Sequence, residues 1–215
     1  MIAEQADRCK KIVAGLLHFA RQNKVVLQPT DLRALVERTL DTLRIPENIS
    51  VEVVHELNDP VAEVDGDQII QVLANLLTNA VAAMPDGGVL AIRTGGDAEK
   101  VWLVVSDTGV GIPKENLGKI YEPFFTTKQI GKGTGLGLAV TYGIVKMHCG
   151  DIRVQSNADS SAGPTGSAFT VTLPRKSRQD RIDAAMIGAN LVESSSEETG
   201  AALEASRETN DAEDK

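Results

Sequence analysis

Apolar positions recur along this 215-residue chain with more than one period. Ile2, Ala6, Cys9, Val13, Leu16 and Ala20 are separated alternately by four and three residues, a heptad seam on one helix. Ile12 and Phe19 widen the stripe. A lone helix of this size is marginal in water, so it is expected to pack on a partner helix of the same or another chain, or on its own domain. "LQPT" breaks the pattern, and Thr30 is placed to cap a second helix over about 31–44. Leu32, Leu35, Val36, Leu40 and Leu43 form its apolar face. "ISVEVVHEL" (49–57) largely alternates and predicts a strand, and "VAEV" predicts a shorter one. A long helix then starts at Asp65 or Asp67 and ends at "MPDGG". Residues 89–94 and 101–107 predict a hairpin-like pair around "GGDAEK". A loop-rich stretch follows over 107–134, then a helix at about 135–148 and strands near 151–156 and 168–173.

The strands come in pairs between helices, which argues against a doubly wound parallel sheet. A mixed or antiparallel sheet with helices on one face fits better. Apolar residues make up 42% of the chain and aromatics only 3%, so the core must be mostly aliphatic. The net charge of −8 is uneven. Five basic and ten acidic residues fall within 176–215, leaving −3 for everything before it. That stretch is rich in Ser, Glu, Ala and Asp and has little to bury, so it reads as an acidic tail or linker, largely disordered. Nothing in the charge pattern suggests nucleic-acid binding. Cys9 and Cys149 stand far apart and outside any metal-ligand spacing, which reads as two reduced thiols. No apolar run reaches the length of a membrane span. The expected location is the cytoplasm, for a parent protein either free or membrane-tethered.

The long helix carries Asn75 and Asn79 one turn apart on one face, flanked by Ile69, Ile70, Leu73, Leu76, Leu77, Ala80 and Met84. A buried amide without partners costs on the order of 1–3 kcal/mol, so two stacked together need partners. Loops or buried water would serve for one. For two, a polar wall facing a ligand is the better reading, and an amide oxygen suits a hard cation such as magnesium held with phosphates. "SDTGVGIP" (106–113) follows a hydrophobic strand. Asp107 is placed to accept a hydrogen bond from an amine, and Gly109 and Gly111 let the backbone turn closely. "GKGTGLGLAV" (131–140) alternates glycines and then opens a helix, which presents free amides to an anion. It has neither the Walker nor the dinucleotide spacing. It reads as a mobile lid, anchored by Phe124 and Phe125, with Lys128 or Lys132 within reach of a phosphate.

In this order the pieces resemble the catalytic domain of sensor histidine kinases. "NLLTNA" is similar to their N box, "DTGVGI" to the first glycine box, "EPFFTTK" to the F box and "GKGTGLGL" to the second glycine box. "TGSAFTVTLP" (165–174) resembles the last glycine-containing strand. The resemblance covers roughly residues 30–175. It implies an α/β fold of the Bergerat type: a two-layer sandwich, mixed sheet with helices on one face, preceded here by one long N-terminal helix. It divides the chain into 1–25, the second helix of a phosphoacceptor hairpin, 29–175, an ATP-binding domain, and the tail 176–215. It implies ATP and Mg2+ as cofactors. Asn79 would coordinate the metal, with Asn75 beside it. Asp107 would read the adenine amine, and Gly109, Gly111 and Ile112 would shape the adenine pocket, with Ser167 where the family has Thr or Ser. Phe124, Phe125 and Lys128 belong to the F box. Gly133, Thr134, Gly135, Leu136, Gly137 and Leu138 would present the lid to the phosphates. Asn75 and Lys128 are the candidate catalytic residues.

The gyrase and MutL branch has a general-base glutamate where this chain has Asn75, an amide that cannot take a proton. The site therefore suits holding ATP for another acceptor. The resemblance implies transfer to a histidine on a helical hairpin, relay to a response-regulator receiver domain, and a homodimeric full-length parent. His18, His55 and His148 all lack the acceptor context, so the acceptor is expected in a missing first helix. A hydrolysing ATPase and a non-catalytic nucleotide-binding module are the alternatives.

Overall fold

The computed structural model describes residues 25–128 and 133–176. The predicted N-terminal helix and acidic tail, with His18, Cys9 and Lys132, lie outside the described residues.

The first described element is a strand that the sequence pattern did not announce. Residues Gln28–Asp31 (β1) pair antiparallel with Val61–Val64 (β3) in a two-stranded ribbon, Gln28 opposite Val64 and Asp31 opposite Val61. Pro29 is tolerated because such a ribbon leaves edges free of a donor requirement. This pairing corrects the expected cap. Thr30 is in the strand, and its hydroxyl donates to the Gln28 carbonyl at 2.8 Å. Asp31 caps helix α1 (Leu32–Thr42) instead, accepting from the amides of Arg33 at 2.8 Å and Ala34 at 3.2 Å. Leu32, Leu35, Val36 and Thr39 are its buried face, at helical spacing.

Helix α2 (Gly66–Ala83) is capped by Asp65, which accepts from the Gln68 amide at 3.2 Å. Ile69, Val72, Leu73, Leu76, Leu77 and Ala80 are buried along it. It stops at Met84 because the next residue is Pro85, which disfavours helical backbone at the residue before it. The main sheet has the strand order β2 (Ile49–His55), β4 (Gly88–Gly96), β5 (Lys100–Asp107), β7 (Gly166–Pro174), β6 (Asp151–Asn157). Only β2 and β4 run parallel; the other three pairings are antiparallel, so the sheet is mixed as expected. The parallel pair is forced by its connection, since β3 and α2 intervene between β2 and β4. Alternate residues of β4, β5 and β7 bury Leu90, Ile92, Leu103, Val105, Phe169 and Val171 in the core they share with α1, α2 and a later helix, α4 (Gly137–Met147). A short helix, α3 (Lys114–Leu117), interrupts the stretch read as loop.

Two polar anchors close the layers. His148, 5% exposed at the end of α4, donates from Nδ1 to the Ile144 carbonyl at 2.9 Å. Its Nε2 therefore accepts, and the donor is the Asp65 amide at 3.0 Å, at the start of α2. Burial lowers the imidazole pKa, against the opposing pull of the Asp65 carboxylate. Arg175 sends its guanidinium to the carbonyls of Asp97, Val61 and Asp59, tying the end of β7 to the β4–β5 turn and to the ribbon.

Candidate functional site

The C-terminal half of α2, the end of β5, the start of β7 and the start of α4 enclose a cavity of about 440 Å³. Each of these element ends was singled out by a sequence motif. Asn75, Asn79, Asp107, Gly111, Ile112, Phe125, Lys128, Gly133, Thr134, Gly135, Gly137, Leu138 and Ser167 all line it. Among the described lining residues Asp107 is the one acidic group and Lys128 the one basic group.

Asp107 leaves β5 half-buried. Its carboxylate accepts from the Gly109 amide at 2.9 Å, and the Ser167 main chain lies opposite it on β7. Loss of water raises its pKa, and the nearby backbone N–H groups of Gly109 and Ser167 oppose that shift. Ser167 is 7% exposed and meets Ser156 Oγ at 3.0 Å. Ser156 donates its one proton to the Gly166 carbonyl at 2.8 Å and accepts from the Ile112 amide at 2.8 Å. It follows that Ser167 is the donor in the serine pair. Ser156 escaped the sequence reading, although it fixes both Ile112 and Ser167. No spacing signal marks it.

The two asparagines share a helix face as expected, but their jobs differ. Asn75 turns Nδ2 to the Gly137 carbonyl at 3.1 Å and to Thr141 Oγ1 at 3.3 Å. The carbonyl can only accept, which fixes the amide's orientation. Asn75 therefore joins α2 to α4 besides lining the cavity, and Thr141, fully buried, is the partner that the sequence did not reveal. Asn79 points its Oδ1 into the cavity mouth, where Lys128 Nζ donates to it at 3.2 Å.

The glycine motifs work through close backbone approach. Gly111 has φ +71°, and a Cβ there would lie 2.0 Å from the Asn157 carbonyl oxygen. Gly135 has φ +67°, and its Cβ would meet the Phe124 carbonyl carbon at 2.4 Å. Gly109 does not line the cavity; it packs on the last turn of α2, where the Val110 amide donates to the Ala83 carbonyl at 3.0 Å. Leu136 is buried and likewise outside the lining. The expected pair of phenylalanine anchors is corrected to one. Phe125 packs on the core, whereas the Phe124 side chain is 52% exposed and its backbone, at φ 68°, is what holds, donating its amide to the Gly135 carbonyl at 2.9 Å. Helix α4 starts at Gly137 with no side-chain cap, so its first amides suit an anion.

The donor set fits a nucleotide with a magnesium ion. The Asn79 oxygen already faces a cation, the Lys128 ammonium, from the cavity side. Magnesium bound with phosphates needs few protein oxygens. The His55 imidazole meets Thr94 Oγ1 at 2.7 Å from the edge strand β2, and both His148 nitrogens are occupied, so neither lies at this site as a phosphate acceptor.

Comparison with known proteins gives the same class. Residues 64–177 match the family described as histidine kinase-, DNA gyrase B-, and HSP90-like ATPase. Sensor kinase CckA of Brucella abortus (strain 2308) is 37% identical over 206 residues, 87% of this chain and 21% of that protein. The mycobacterial sensor histidine kinase MprB superposes with a TM-score of 0.62 at 32% identity, covering 71% of this chain and 99% of that one. Full-length ShkA in complex with AMPPNP superposes with a TM-score of 0.68 at 25% identity, over 81% of this chain and 37% of that one. The chain belongs to the histidine kinase-, DNA gyrase B- and HSP90-like ATPase family, as the ATP-binding catalytic domain of a sensor histidine kinase. It spans about a fifth of the length of the curated relative CckA.

Proposed function

We propose that this domain holds Mg-ATP for transfer of the γ-phosphoryl group to a histidine on a helical hairpin of its parent kinase. Relay to a receiver-domain aspartate of a response regulator would follow. The parent would be a homodimer with this domain in the cytoplasm, residues 1–25 supplying a hairpin helix and 176–215 a tail. The observation that carries the reading is the Asn79 oxygen, set against a positive charge in a cavity whose far wall holds the Asp107 carboxylate.

Asp107, held by the Gly109 amide, is the acceptor for the adenine amine, and Ser167, Gly111 and Ile112 complete that wall. The uncapped first turn of α4, with Gly133, Thr134 and Gly135, takes the phosphates. Asn79 would hold Mg2+, which supplies neutralisation of phosphate charge. Asn75 keeps α4 at the right distance and offers no basic atom, since its oxygen is an amide's. Proton removal is thus left to the acceptor's own surroundings, which favours transfer over hydrolysis. CckA, MprB and ShkA point the same way, since the first two are named as sensor kinases and the third was solved with an ATP analogue.

Titration of the protein with Mg-ATP by calorimetry, followed by γ-labelled ATP with the parent's histidine-bearing hairpin, tests this. Saturable binding, at least about tenfold weaker in Asn79→Ala (~1.4 kcal/mol), and acid-labile label on the hairpin are expected. Absence of binding, or equal binding by the variant, overturns the proposal.

A further inference from the structure

Lys128 has a single hydrogen-bonding partner for its ammonium among the described residues, Asn79 Oδ1, and no carboxylate pairs with it there. A solvated lysine gains little by giving up water for a neutral amide. Lys128 is exposed on its loop, yet its ammonium turns inward to Asn79, and partial loss of water there lowers its pKa. Three contacts aim the side chain. The Lys128 amide donates to Thr126 Oγ1 at 3.2 Å, setting the backbone. The stem passes under Gly133, where an added Cβ would come within 3.3 Å of Lys128 Cδ. The head then reaches Asn79 Oδ1 on α2, and the neighbouring positions of that helix face, Ala82 and Ala83, bring no charge of their own.

We propose that Lys128 is a surrogate for the divalent metal: its ammonium and a cation compete for Asn79 Oδ1, so the site retains nucleotide without metal and gives up the lysine when metal arrives. The inference rests on the nucleotide-binding reading above. A magnesium ion sits about 2.1 Å from its oxygen ligand. An ammonium 3.2 Å from the same oxygen would be driven off by like-charge repulsion from that ion, so the two compete for it. With the metal absent, Lys128 is the only cation on the described cavity wall available to offset a diphosphate. Once displaced, it remains tethered at the mouth by Thr126 and Gly133, beside the phosphates rather than on Asn79.

The test is ADP affinity measured by calorimetry with excess Mg2+ and with EDTA, for the unaltered protein, Lys128→Met and Lys128→Arg. ADP is chosen because it lacks the terminal phosphate that a freed lysine would contact. In EDTA, Lys128→Met should bind at least about tenfold more weakly than the unaltered protein, with Lys128→Arg close to it. With excess Mg2+ the Met variant should be unchanged or tighter, so its dependence on metal becomes steeper. Equal losses under both conditions would mean a plain phosphate contact and would overturn the proposal, as would no loss in EDTA. Failure of the unaltered protein to bind ADP or ATP under either condition would instead overturn the nucleotide-binding reading. Melting curves of the three proteins should coincide, since the substituted side chain lies on an exposed loop.

Discussion

Asn75 Nδ2 lies 3.1 Å from the Gly137 carbonyl, and this one side chain ties the middle of α2 to the first turn of α4. The bond runs from amide to carbonyl, so an acid at this position meets an acceptor with an acceptor. Asn75→Asp keeps the shape, removes two donated bonds and adds repulsion. We expect it to lower stability by about 1–3 kcal/mol, read by urea denaturation. Phosphate release from ATP should stay at background, because the new carboxylate would be held against a carbonyl and not toward a water. Appearance of steady ATP hydrolysis would contradict this.

His148 should make the fold sensitive to mild acid. It is neutral in the folded protein, with Nε2 accepting from Asp65 and its pKa lowered by burial from the ordinary 6.5. The unfolded chain therefore binds the proton more readily than the folded one. Its contribution is complete above about pH 6.5 and declines as the pH falls from there toward the lowered folded value. Denaturation midpoints at pH 7.5 and 5.5 should differ, and His148→Gln, which is unable to titrate, should narrow the difference.

Cys149 adopts φ 56°, a left-handed conformation that β-carbon contacts disfavour. It stands just after α4, with its amide donating to Lys146 at 3.0 Å and the next amide, of Gly150, to Val145 at 2.9 Å. That is the position where helices commonly place glycine. Cys149→Gly should raise stability by about 0.5–1 kcal/mol in thermal denaturation and leave nucleotide affinity unaltered.

Asp107→Asn should separate binding from stability. The carboxylate's raised pKa means that its ionised form is disfavoured in the fold, so its contribution is fully present below the ordinary 3.8 and lost as the pH rises through the folded value. An amide oxygen can still accept from Gly109 without that burden. We expect no fall in melting temperature at pH 7. Adenine nucleotide affinity should drop at least about tenfold, ~1.4 kcal/mol.

The motifs legible in the sequence were those where chemistry demands a residue type at a fixed spacing. Asn75, Asn79, Asp107, Gly111 and Gly135 all reach the cavity that their motifs implied. The strands of the main sheet were legible too, because alternation such as that of β7 reflects burial of one face. Less was legible where an element depends on a distant partner. β1 exists because Val61–Val64 lies beside it, and Thr30 lost its expected cap for that reason. The Asn75–Thr141, Ile112–Ser156 and Asp65–His148 contacts join residues 66, 44 and 83 positions apart, beyond any local period. At Phe124 an aromatic residue suggests a buried anchor, whereas the side chain is exposed and its backbone does the holding.

The walls at Gly111 and Gly135 are main chain pressed against main chain, with no side chain between. Selection for resistance ordinarily reshapes a drug's contact surface by exchanging side chains. At these two places any exchange would collide with a neighbouring peptide group first. A competitive ligand that draws its affinity from those surfaces would be hard to evade by substitution without disturbing the fold.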